Sequence, residues 1–129
     1  MNTEQIMVRD FHEKYGCPVG KLFSGHCFDP NVLFLRTRLI VEETAEFTEA
    51  AQRQDVVAMV DALADLLYVV YGTAVVLGVD LEPVFRIVHE SNMLKIPPGP
   101  DDKKVRKPPS WQPPDIAAEL DRQLEAEGA

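Results

Sequence analysis

Residues 56–78 read VVAMVDALADLLYVVYGTAVVLG. The stretch is apolar on nearly every side and carries only two charges, Asp61 and Asp65. Four residues apart, they stack on one face of an α-helix. A helix that is hydrophobic all round belongs in an interior. A carboxylate buried there is costly unless something pairs with it.

The preceding residues supply candidates. Asp29-Pro30-Asn31 reads as a helix start, with Asp as N-cap and Pro at the first helical position. A helix over about residues 30–53 follows, with an apolar stripe through Leu35 and Leu39 that reappears at Ala50. Glu43 and Glu46 occupy that stripe where leucine is expected, which is more informative than an exposed glutamate. Asp55 caps the central helix after a turn too short for anything but an antiparallel hairpin. Residues equidistant from the turn then face each other, Glu46 near Asp61 and Glu43 near Asp65. Gly72, unfavourable inside a helix, marks a close helix crossing.

Outward from the hairpin, Met7, Phe11 and Tyr15 recur at helical spacing, predicting an amphipathic helix over residues 3–15. Residues 16–28, broken by Gly16, Pro18 and Gly20, read as an irregular connection. Gly78 closes the central helix and Asp80 caps another, Leu81 to about Leu94, with Leu81, Val84, Phe85 and Val88 as its inner face. Residues 95–114 form an extended basic, proline-rich segment holding five of the thirteen basic residues. A last short helix starts at Asp115, with Ile116, Leu120 and Leu124 on one side. No strand is evident. The expectation is a single all-α domain, a helical hairpin of four-helix-bundle type.

The 129-residue chain has an ordinary globular composition, 46% hydrophobic and 26% charged. Its formal charge of −8 excludes a general binder of polymeric nucleic acid but not a phosphate ligand held through metal. Cys17 and Cys27 form no CxxC pair. The N-terminus shows no secretory signal, and the charge-free run of residues 66–79 is short for a membrane span. The expectation is a cytoplasmic protein with no membrane partner.

Converging carboxylates cannot all stay ionised without a cation. Oxygen-only ligands select hard ions, Mg²⁺ or Mn²⁺. A di-iron bundle needs Glu-x-x-His pairs, which His12, His26 and His89 do not offer. Magnesium bound by carboxylates takes phosphate oxygens as further ligands, and the basic segment would hold the remaining phosphate charge. Together these point to metal-assisted hydrolysis of a phosphoanhydride.

Glu-Glu-x-x-Glu at 42–46 followed by Asp-Ala-Leu-Ala-Asp at 61–65 resembles the all-α, MazG-like nucleoside triphosphate pyrophosphohydrolases, including the phosphoribosyl-ATP pyrophosphohydrolase branch. His89-x-Ser91-Asn92-Met93-x-Lys95, Lys104-Val105-x-Lys107 and Pro113-Pro114-Asp115-Ile116 extend the likeness over about residues 8–120. The resemblance implies Mg²⁺-dependent cleavage of an NTP or dNTP between the α and β phosphates, by a homodimer or tetramer of helical hairpins. Glu43, Glu46 and Asp65 would be metal ligands, with Asp61 beside them. The chain departs from the common second motif, ExxD: Ala62 stands three before Asp65, and Asp61 four before. Glu42, about 100° around the helix from Glu43, would bind a second metal or activate the attacking water, with Glu46 also in the catalytic set. Asn92, Lys95, Lys104 and Lys107 are the candidate substrate contacts. Trp111 would either cover the base or pack the tail down. Rival readings are a non-catalytic nucleotide-sensing dimer, which the ExxD departure favours, and a hydrolase of a non-nucleotide pyrophosphate ester.

Overall fold

The computed structural model describes residues 1–128, and among them the chain is all-α. It divides into two compact units, Met1–Asp80 and a second beginning at Leu81. The first holds α1 (Thr3–Tyr15), a 3₁₀ turn (Gly25–Phe28), α2 (Pro30–Gln52) and α3 (Val56–Leu77). The second holds α4 (Leu81–Asn92) and α5 (Ile116–Glu127).

The caps fall where side-chain chemistry asks for them. Asp29 accepts from the Asn31 and Val32 amides, and Asp55 from that of Ala58. Gly78 ends α3 in the left-handed conformation (φ 76°), which glycine adopts without a Cβ penalty. The hairpin turn is Arg53, Gln54 and Asp55, with Gln54 also left-handed.

Leu33, Arg36, Ile40, Glu43, Phe47 and Ala50 of α2 are all buried or partly covered, as are Met59, Ala62, Leu66, Val69, Thr73 and Val76 of α3. Alternating steps of three and four make each set one seam, the pattern of antiparallel helix packing. Glu43 is thus part of the seam of α2. The expected stripe through Leu35 is displaced, since Leu35 is exposed and the seam runs through Arg36 instead.

α1 packs on α3 by a different face from the one its aromatics marked. Gln5, Val8 and His12 are buried, whereas Met7, Phe11 and Tyr15 are exposed. Polar groups win those inner places because each finds a backbone partner. Gln5 Nε2 donates to the Val79 carbonyl at 2.7 Å, and His12 Nδ1 lies 2.8 Å from the Pro18 carbonyl. The outer aromatics form their own cluster, Phe11 meeting Tyr15 and, edge-on at 5.6 Å, Tyr68.

The connection at 16–28 runs over the C-terminal end of α3, and contains the 3₁₀ turn the sequence did not signal. The Gly20 amide donates to the Val75 carbonyl at 3.0 Å, and a Cβ at Gly20 would strike the Val76 carbonyl. Cys17 and Cys27 are free thiols, Cys27 lying 3.2 Å from the Leu77 carbonyl.

In the second unit Phe85, expected inside, is exposed, while Ser91 is buried. Ile116, Leu120 and Leu124 are all partly covered. The segment between the helices is ordered by an isolated antiparallel bridge, Ile96 with Arg106, and not extended throughout.

Candidate metal centre

The hairpin brings Glu43 and Glu46 of α2 and Asp65 of α3 together. One carboxylate oxygen from each lies within 4.8 Å of the others. The geometry follows from side-chain direction: Cβ vectors tilt toward a helix's N-terminus. In an antiparallel hairpin Glu46 leans away from the turn and Asp65 leans toward it, so the two meet between the levels of Glu46 and Glu43. Asp61 leans toward the turn from a position one helical turn nearer to it. It is exposed and falls outside the three-residue set. Ala62, where the common motif has Glu, is buried at the hairpin seam.

Glu43 carries the electrostatic signature of the site. Its Oε2 is sealed from solvent and has no hydrogen-bond partner among the described residues. Burial raises its pKa from the ordinary value, and the neighbouring carboxylates of Glu46, Asp65 and Glu42 push the same way. A buried anionic oxygen without a donor calls for a proton or a cation. Three carboxylates offering only oxygen fit a hard divalent ion. Glu42 stands beside this group, 3.5 Å from Arg38 in an exposed i,i+4 pair.

The remaining candidates lie in the second unit. Asn92 is the last residue of α4; its carbonyl accepts from the Lys95 amide, and its exposed side chain has no partner among the described residues. The Lys104 amide donates to Asp102 at 3.0 Å in a turn. Lys95 and Lys107 lie 5.4 and 4.8 Å from the ring centroid of Trp111. Trp111 packs the tail down: its indole N–H donates to the Ser91 carbonyl at 2.9 Å.

Sequence reasoning missed Arg36. Its guanidinium donates to Thr73 Oγ1 and the Val69 carbonyl across the hairpin, and a Cβ on Gly72 would collide with it. Burial lowers its pKa from the ordinary value, with Cys17 acting in the opposite direction. The available signal was Gly72, whose missing side chain makes room for an arginine and not for a helix backbone.

A model of the phosphoribosyl-ATP pyrophosphohydrolase family matches residues 8–92. The chain belongs to this family. It is thereby a member of the MazG-like all-α superfamily. The match spans α1 to α4 and includes Glu43, Glu46 and Asp65; Lys95, Lys104, Lys107 and Trp111 lie beyond it. An uncharacterised protein of Acanthamoeba polyphaga mimivirus is 36% identical over 82 residues, 62% of this chain. Those residues cover 33% of that curated relative, so the chain spans only a part of its length.

Proposed function

We propose that this protein is a metal-dependent nucleotide pyrophosphohydrolase. It would cleave an NTP or dNTP between the α and β phosphates, giving the monophosphate and pyrophosphate. The observation that carries the reading is the orphaned Glu43 oxygen amid Glu46 and Asp65, inside the family match.

Glu43, Glu46 and Asp65 hold Mg²⁺ or Mn²⁺. When bound, the cation supplies Lewis-acid stabilisation of charge on the phosphate oxygens. Glu42, exposed and free to reorient away from Arg38, accepts the proton of the attacking water while the electron pair of the broken anhydride bond leaves with pyrophosphate. Lys95, Lys104 and Lys107 neutralise phosphate charge, and Asn92 offers its unpartnered amide to phosphate or sugar.

The working form is a homodimer. Val56, Val60, Leu63 and Leu67 make one continuous stripe along α3, and all four are exposed. Leu63→Glu should yield monomers in analytical ultracentrifugation; an unchanged sedimentation coefficient would remove this face from the interface.

The deciding experiment is pyrophosphate release from a panel of ribo- and deoxyribonucleoside triphosphates and phosphoribosyl-ATP, with Mg²⁺, Mn²⁺ or chelator. Metal-dependent pyrophosphate is expected. Orthophosphate as the product, or no turnover of any nucleotide despite metal binding, defeats the assignment.

A further inference from the structure

Ile96 and Arg106 exchange both backbone hydrogen bonds at 2.9 Å. This antiparallel pairing sets Lys95 opposite Lys107 at the adjoining position, where facing side chains come closest. Like charges placed opposite each other are unfavourable. Both ammonium groups nevertheless converge on one ring, no more than about 10 Å apart by their distances to the Trp111 centroid. Neither takes part in an ion pair among the described residues.

The ring itself is fixed from several sides. Its indole N–H is held by the Ser91 carbonyl, its amide by that of Pro108 at 2.9 Å, and Ser91 Oγ returns a bond to the Gln112 carbonyl. Trp111 is therefore a hydrogen-bonded platform with two lysine ammonium groups over its ring. A lysine over an indole face is held more weakly than a lysine hydrogen-bonded to a phosphate oxygen.

We propose that Lys95, Trp111 and Lys107 form a polyphosphate grip, in which the indole stores both ammonium groups until a di- or triphosphate draws them off its face. The ligand's identity rests on the pyrophosphohydrolase reading: it is the polyphosphate tail of the substrate or the pyrophosphate released. Trp111 is a positioning residue, spacing the two cations and keeping them from carboxylates in an acidic chain.

Trp111 is the only tryptophan of the protein, so its emission reports the event. The full chain is titrated with tripolyphosphate, pyrophosphate and orthophosphate in chelator at constant ionic strength. A saturable change in emission is expected, strongest for tripolyphosphate, with Lys95→Gln and Lys107→Gln each weakening binding about tenfold. Glu46→Gln should titrate like the parent, because no metal is required. Three results overturn the grip: an equal change with sodium chloride alone, calorimetric binding that ignores both lysine substitutions, or a DNA oligonucleotide held more tightly by the same lysines. Loss of nucleotide hydrolysis with the titration intact would sink only the catalytic reading, and the converse only the grip.

Discussion

The two halves of α3 differ more than their sequence does. Both are apolar, yet in the C-terminal half Gly72, Ala74, Val75 and Val76 are buried. α1, α2 and the 16–28 connection crowd round that end. In the N-terminal half only Ala62 is buried, while Val57 is 82% exposed and Val56, Val60, Leu63 and Leu67 also face outward. Asp61 and Asp65 belong to this open half. One helix thus carries the fold at one end and the charged cluster, with its apolar surroundings, at the other. By length and composition α3 is long and apolar enough to cross a bilayer; it carries two carboxylates and packs on α1 and α2.

If that division is right, substitutions in the two halves should fail in different assays. The largest effect belongs to the open half. Glu46→Gln removes one of three carboxylates and should lower hydrolysis by roughly 10³-fold, equivalent to several kcal/mol of lost transition-state stabilisation. The urea midpoint in chelator should hold or rise, since a repelling charge is gone. Substantial activity in this variant would dissolve the proposed metal set. The closed half should behave in reverse. Val76 is fully buried, and Val76→Ala should cost about 2 kcal/mol through lost burial and an unfilled cavity. Val57→Ala should cost less than about 0.5 kcal/mol in the monomer. Equal midpoints for the two alanine variants would erase the contrast between the halves.

Much of this was legible in advance because caps and turns are local chemistry. Asp29-Pro30, Asp55 and Gly78 mark helix ends with groups that satisfy backbone amides or permit a positive φ, so the hairpin and the level of Glu43 with Asp65 follow. Faces were harder. On α1 the stripe Met7, Phe11 and Tyr15 has perfect helical spacing but lies outside, because spacing cannot say that Gln5 and His12 will find carbonyls at Val79 and Pro18. On α2 an arginine occupies a seam position only because Gly72 leaves room for it. The position of Asp61 depended on side-chain lean, which a count of residues from the turn ignores. The pairing of Ile96 with Arg106 joins residues separated by prolines and a glycine, with no alternation to announce it.

Gly72, in the closed half, sharpens the comparison further. Alanine in a helix interior normally gains up to about 1 kcal/mol over glycine. Here its Cβ would press on Arg36 Nη2, and His12 Nε2 would stand 3.1 Å away. Gly72→Ala should therefore destabilise by about 1 kcal/mol, overpacking outweighing propensity. In an Arg36→Ala background the sign should reverse. A thermal melt in which Gly72→Ala is stabilising on its own would mean that the guanidinium swings aside without loss, and that the seam is looser than its hydrogen bonds to Val69 and Thr73 imply.

The smallest effect is a pH dependence confined to the open half. Glu43 has a folded-state pKa above its ordinary value of 4.5, first from burial and then from its carboxylate neighbours. Between the unfolded value and the raised one, the folded chain binds the extra proton. That contribution to stability is complete below the unfolded pKa and is lost as pH rises through the folded pKa. In chelator, stability measured by urea midpoint should therefore decline with increasing pH in this window. Glu43→Gln should remove that slope, the difference between the two proteins isolating Glu43 from other titrating groups. Adding Mg²⁺ to the parent should raise its midpoint most at the upper end of the window, where the carboxylate is ionised and able to ligate. A midpoint indifferent to Mg²⁺ at every pH would leave the sealed oxygen of Glu43 without the cation that its surroundings call for, and the open half of α3 would be only an uncovered face.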